Sequence, residues 1–188
     1  MNQKLLRELK AKSKIALQKN TRFHDYGHAL EVLKNTKKII SLEKGHFDQD
    51  ILFAAALFHD VSNRNDELEG QDGATITQKY LNQIKSFPLE KIPDVQRIII
   101  SISGNASSMD EIIINEADRM AIFSKLSLCR AFMINGHKEL QLYEAIKNFL
   151  EFIDKKYTRF QLKSAQKLAK NDYLFMKKFL QDCLVFYK

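Results

Sequence analysis

Four polar side chains stand on stripes of the sequence that are otherwise apolar. His28 lies four residues before Val32, His59 and Asp60 close the run AAALFHD, and Asp118 follows IIINEA, with Ile114 four residues before it and Ala121 three after. On a helix, Leu52, Ala55, Ala56 and His59 share a face through steps of three and four, so His59 extends an inward-pointing stripe. Asp60 sits about 100° further round, and only near a helix end can its short carboxylate turn toward the same point. A buried carboxylate beside an imidazole is costly unless positive charge offsets it. Two imidazoles and two carboxylates from three segments suit a divalent cation such as manganese, iron or zinc, with positions left for water and substrate. Taken singly, each has a plainer reading: a histidine on an apolar face is ordinarily a hydrogen-bonded core residue, and Asp118 followed by Arg119 is an ordinary ion pair.

The elements that would hold these groups read as helices from end to end. Leu5, Leu6, Leu9 and Ile15 mark a first helix, broken by NTRFHDYG. A second runs from about Tyr26 to Leu42, with His28, Val32, Ile39 and Ile40 near one face and a stop at Gly45. Asp48 or Asp50 caps the almost wholly apolar helix ILFAAALFHD. The polar loop SNRNDELEGQDG then leads into a helix ATITQKYLNQIKSF, and Pro88 and Pro93 punctuate the approach to DVQRIIISIS, for which Asp94 is the expected N-cap. After the loop SGNASS, Asp110 opens EIIINEADRMAIF. The isoleucine triplets also fit strands, but their flanks read as helix. Long amphipathic helices follow around LQLYEAIKNFLEFIDKKY and QLKSAQKLAKNDYLFMKKFLQDCLVFY. The expected architecture is one all-α domain over residues 1–188, a helical bundle of about eight helices. In the last helix, Phe175, Phe179 and Phe186 either complete the core or offer a face to a second copy in a homodimer.

Composition agrees with that class. The 188 residues are 45% hydrophobic, with 13 Phe, no Trp, 6 Gly and 2 Pro, which suits a soluble helical domain with a real core. The net charge of +7 is spread over many segments and has no nucleic-acid-binding motif beside it, so no nucleic-acid partner is expected. Cys129 and Cys183 have no CxxC spacing and read as reduced core thiols, which fits a cytoplasmic protein. No run reaches the length of a membrane span, and the N-terminal segment carries charges through its apolar positions, unlike a signal peptide.

The order and spacing of the polar set carry a resemblance. His28, then His59–Asp60 31 residues on, then Asp118 58 further, resembles the H…HD…D pattern of the HD-domain metal-dependent phosphohydrolase superfamily. The segments HDYGHALEV, AAALFHD and INEADRMAIF are similar to those that carry the pattern, over about residues 20–130, with residues 139–188 completing the bundle. The resemblance implies that His28, His59, Asp60 and Asp118 bind one divalent ion, Mn²⁺ first, with Fe²⁺, Zn²⁺, Mg²⁺, Ni²⁺ and Co²⁺ as alternatives. It implies hydrolysis of a phosphomonoester or pyrophosphate bond in a small phosphorylated metabolite, a nucleotide by preference. Arg64 and Arg119, next to ligands, are the candidates for holding phosphate, each with an ordinary salt bridge as its alternative. His24, four residues before His28, is the candidate for a hydrogen bond behind the ligands.

Two departures bear on the activity. Histidines that some members carry between the HD pair and the last Asp are missing here, which favours one metal, and Asn63 stands where some relatives have Glu. The general acid is therefore open: Glu67, Glu69 or Asp72, in the loop after the pair, could take that role or support the metal, with Asp60 catalytic as a ligand. The alternative to an enzyme is a catalytically weak module of the same fold that binds metal and nucleotide for regulation.

Overall fold

A stretch of small and large apolar residues without Gly or Pro makes Gln49–Phe58 the most deeply buried helix among the described residues. In the computed structural model, which describes residues 2–18, 24–62, 69–102, 104 and 106–187, every residue from Ile51 to Phe58 is buried. Nine α-helices, one 3₁₀ turn and no strand occur among the described residues, in agreement with the expected all-α class. Packing divides the chain into two compact units, Met1–Asp118 and Arg119–Lys188. No helix among the described residues is long and apolar enough to cross a membrane.

In the first unit, α1 (Gln3–Leu17), α2 (Tyr26–Ile40), α3 (Gln49–Phe58), α4 (Glu69–Leu81), α5 (Ile92–Ser101) and most of α6 (Met109–Ala121) follow in order. α3 packs on α1, α2 and α5, and α4 lies along α5. Leu52, Leu57 and Phe58 are wholly buried, each contributing about 1.5–3 kcal/mol of transfer free energy. Asp48 accepts from the amides of Asp50 (2.9 Å) and Ile51 (3.3 Å), which starts α3 there and leaves Asp50 in the first turn. The helix stops at His59, its C-cap.

Several expected boundaries move. α4 begins at Glu69 rather than Ala74, so Asp72 lies in a helix and not in the loop. Lys91 rather than Asp94 precedes α5, because a 3₁₀ turn (Leu89–Lys91) runs directly into it; Asp94 sits in the first turn and meets Arg97 at 3.4 Å. α2 ends at Ile40, five residues before Gly45, and Ile40 is only part-buried. Ile15 is exposed, since the buried stripe of α1 runs through Leu5, Leu9, Ser13 and Ala16. Both isoleucine triplets are helical, in α5 and α6.

The second unit contains α7 (Lys125–His137), α8 (Leu142–Tyr157) and α9 (Lys163–Val185), which pack on one another. Its centre is aromatic: Tyr157 and Tyr173 stack at 3.9 Å, and Phe123 meets both edge-on. Tyr173 donates to Asp154 (2.8 Å), which also receives Lys177. Phe175, Phe179 and Phe186 are exposed, so they do not complete this core. Cys129 is exposed and Cys183 half-buried; both are free thiols, but neither is the core residue expected. α7 carries little of a one-sided apolar stripe, which explains why Cys129 faces out.

Candidate metal centre

Local contacts within its own segment help place each of the four polar residues. Asp25 caps α2 and accepts from the His28 amide at 3.0 Å, so the cap fixes the turn that carries His28. A Cβ on Gly27 would lie 3.1 Å from that carboxylate, so glycine leaves room for it. His59 closes α3 and keeps its Nδ1–H on the Ala56 carbonyl (3.0 Å), which turns Nε2 toward the centre. Asp60, one residue past the C-cap His59, turns its carboxylate toward His28 and His59, as a helix end permits. On α6, Glu111 is buried and accepts from the amides of Ser107 (2.6 Å) and Ser108 (3.1 Å) and from Arg97. This fixes the start of the helix two turns before Asp118.

All four converge within the first unit. His28 Nε2 lies 3.0 Å from Asp118 Oδ1, 3.2 Å from Asp60 Oδ2 and 3.2 Å from His59 Nε2. His59 Nε2 lies 3.0 Å from Asp60 Oδ2 and 3.7 Å from Asp118 Oδ1. Adjacent donors of a six-coordinate ion with bonds near 2.1 Å are about 3 Å apart, so His28, His59 and Asp118, at 3.0–3.7 Å from one another, have a spacing that a small divalent cation can use. The donor chemistry fits as well: neutral imidazoles and carboxylates, two of each. The histidines are nearly sealed from solvent, whereas the Asp118 side chain is 34% exposed and opens the centre on that side.

The electrostatics follow from the crowding. Burial would lower the His28 pKa, but hydrogen bonds to Asp118 and Asp60 outweigh it and raise the group to about 10. His59 is raised as well, its burial overcome by the Asp60 charge. Burial would raise both carboxyls, yet Asp60 is held well below the carboxylate range by His59, His24 and His28, and Asp118 is lowered by His28 and His59. Without metal, His28 is thus held protonated between the Asp60 and Asp118 carboxylates.

The remaining candidates separate. His24 Nδ1 meets Asp60 Oδ2 at 2.8 Å, and its ring stands edge-on to His28 at 5.5 Å. His24, His28 and Asp60 form one potential metal-binding group, and His28, His59 and Asp118 another. Arg119 donates to the Arg159 carbonyl and lies 5.8 Å over the Phe160 ring. Asp72 is part-exposed on α4. Arg64, Glu67 and the Glu69 side chain lie outside the described residues. Sequence reasoning missed the Ala56 carbonyl, a backbone group without a sequence signal, and the Asp25 cap, for which an Asp just before an apolar-periodic run was the available signal.

No family model matches the chain, and no curated protein matches it in sequence. Solved structures share its fold over nearly their whole length. The Lin1889 protein of Listeria innocua is 25% identical, with 97% of this chain and 95% of that one covered and a TM-score of 0.74. A Lactobacillus plantarum protein is 17% identical, with 100% and 98% covered and a TM-score of 0.75. Bacillus subtilis YpgQ, solved in complex with ADP, is 21% identical, with 96% and 93% covered and a TM-score of 0.70. The chain therefore has the all-helical fold of these proteins, and its buried His/Asp cluster has the composition and spacing to hold a metal ion.

Proposed function

We propose that this chain is a metal-dependent phosphohydrolase of the HD-domain type, cleaving a phosphomonoester or pyrophosphate bond of a small nucleotide. The observation that carries the reading is that groups from three separate segments meet: the Nε2 atoms of His28 and His59 each lie 3.0–3.7 Å from carboxylate oxygens of Asp60 and Asp118. A divalent ion held there, Mn²⁺ first among the candidates, would polarise a phosphoryl oxygen and lower the pKa of a bound water. The chain's own part is to preorganise the donors. The Ala56 carbonyl holds the His59 tautomer, His24 braces Asp60, and the two carboxylates supply the charge that offsets a dication. The ADP in the YpgQ structure supports a nucleotide as the ligand class. A single ion is the reading because no histidine lies between Asp60 and Asp118.

Purification without chelator, metal analysis and a nucleotide and sugar-phosphate panel with added Mn²⁺ test the proposal. Turnover of a nucleotide is expected, with Asp60→Ala losing both metal and turnover; an Asp60→Ala protein that keeps both overturns it. The engagement of Arg119 with Arg159 and Phe160 favours a second reading, a weakly catalytic module that binds metal and nucleotide. Tight binding of both without multiple turnovers selects that one.

A further inference from the structure

At the opposite ends of α2 and α3 from the metal centre lies a cavity of about 630 Å³. α2 runs from His28 to Ile40 in the cavity wall, 12 residues or about 18 Å. α3 likewise begins at Gln49 in the wall and ends beside His59. The volume falls in the range of small-molecule sites, about 300–1,000 Å³.

Its lining is selective. Phe47 and Phe53 present aromatic rings, and Leu6 and Ile40 extend the apolar surface. Lys37 sits with Nζ 5.1 Å from the Phe53 ring centroid. Among the described residues no Asp or Glu lines the cavity, in a chain with 23 of them, so the exposed Lys37 at its rim has no carboxylate in the wall to balance its charge. His46 and Gln3 add hydrogen-bonding groups to the lining. The loop is built for this shape: Gly45 has φ +149°, a conformation that L side chains rarely adopt, and a Cβ there would lie 3.1 Å from the Phe47 ring. Glycine therefore lets Phe47 fold back as one wall.

We propose that this cavity binds a small planar aromatic ring bearing one anionic group. The ring lies against Phe47 and the apolar wall, and the anion meets Lys37. The site is separate from the metal centre and does not depend on the reading of that centre.

The test uses 1-naphthalenesulfonate, which has no phosphoryl group to hydrolyse, and the neutral 1-naphthalenemethanol. Each is titrated into the full chain by calorimetry and by amide NMR shifts. Saturable 1:1 binding of the sulfonate is expected, with shifts centred on Lys37, Gly45, His46 and Phe47, and with the neutral probe about fivefold weaker, the size of one exposed ion pair. Lys37→Met, at an exposed position, should bring the two probes within twofold of each other, and Lys37→Arg should restore the difference. Phe47→Ala should weaken both at least fivefold, and His59→Ala should leave both unchanged. Absence of saturation by about 5 mM, equal binding of the two probes to the unmodified chain, shifts centred on α7–α9, or indifference to Lys37→Met each overturns the proposal.

Discussion

Loading the His28/His59 centre with a divalent ion must displace protons, and the structure sets how many. Asp118 and Asp60 hold His28 at about 10 in the metal-free protein against the cost of burial, and Asp60 raises His59. At pH 7.5 the pair therefore carries at least one proton that an ion must remove, because only neutral imidazole can ligate. One displaced proton makes the apparent association constant rise about tenfold per pH unit, or about 1.4 kcal/mol. Calorimetric titration with Mn²⁺ at pH 7.5, in buffers of differing ionisation enthalpy, reads the number directly: the slope should lie between about one and two protons released. Stability moves in the opposite sense. A folded pKa of about 10 against 6.5 unfolded gives a stabilisation that is complete below pH 6.5 and lost as pH climbs through 10. The Tm of chelator-treated protein should fall over that window relative to His28→Gln, and Mn²⁺ should restore it. A proton slope of zero, with a metal-free Tm that tracks His28→Gln from pH 6.5 to 10, refutes the claim that the carboxylates hold His28 protonated.

Other expectations follow from single contacts. His24→Ala removes the 2.8 Å brace on Asp60 at a half-exposed position, so Mn²⁺ affinity should drop about tenfold with the far-ultraviolet spectrum unchanged; unaltered affinity would remove His24 from the centre. Glu111 is held at about 2: burial would raise it, but the Ser107 and Ser108 amides and Arg97 dominate. Its stabilisation is therefore present above pH 4.5 and lost as pH falls toward 2, and Glu111→Ala, which leaves Arg97 and two amides without their acceptor, should cost about 2–3 kcal/mol in urea unfolding at pH 7. At the α4–α5 contact a Cβ on Gly73 would lie 3.3 Å from Ile99, so Gly73→Val should cost about 1–3 kcal/mol by overpacking. A midpoint unchanged by that substitution would mean that the helices move apart freely.

The helices were legible because the apolar positions recur at three and four residues while Gly and Pro are scarce. Asp48 or Asp50 before ILFAAALF marked the start of α3, where the structure uses Asp48, and the four ligands stood out as polar intrusions on buried stripes. Boundaries were less legible where local signals compete. Asp94 has the chemistry of an N-cap, but the turn at Leu89–Lys91 already continues into α5, so the carboxylate pairs with Arg97 instead. Ile15 is apolar, yet neighbouring positions give α1 a better buried face, and Cys129 lies on α7, which has little one-sided apolar stripe to bury.

By itself the sequence determined the all-helical class and which polar residues were costly to bury, because periodicity and residue type are local properties of the chain. Only the tertiary structure decided that His28, His59, Asp60 and Asp118 meet, that His24 is directed to Asp60, and that Arg119 turns to Arg159 and Phe160. Distances between residues 31 to 90 apart along the chain depend on how α2, α3 and α6 are placed, and no local pattern encodes that.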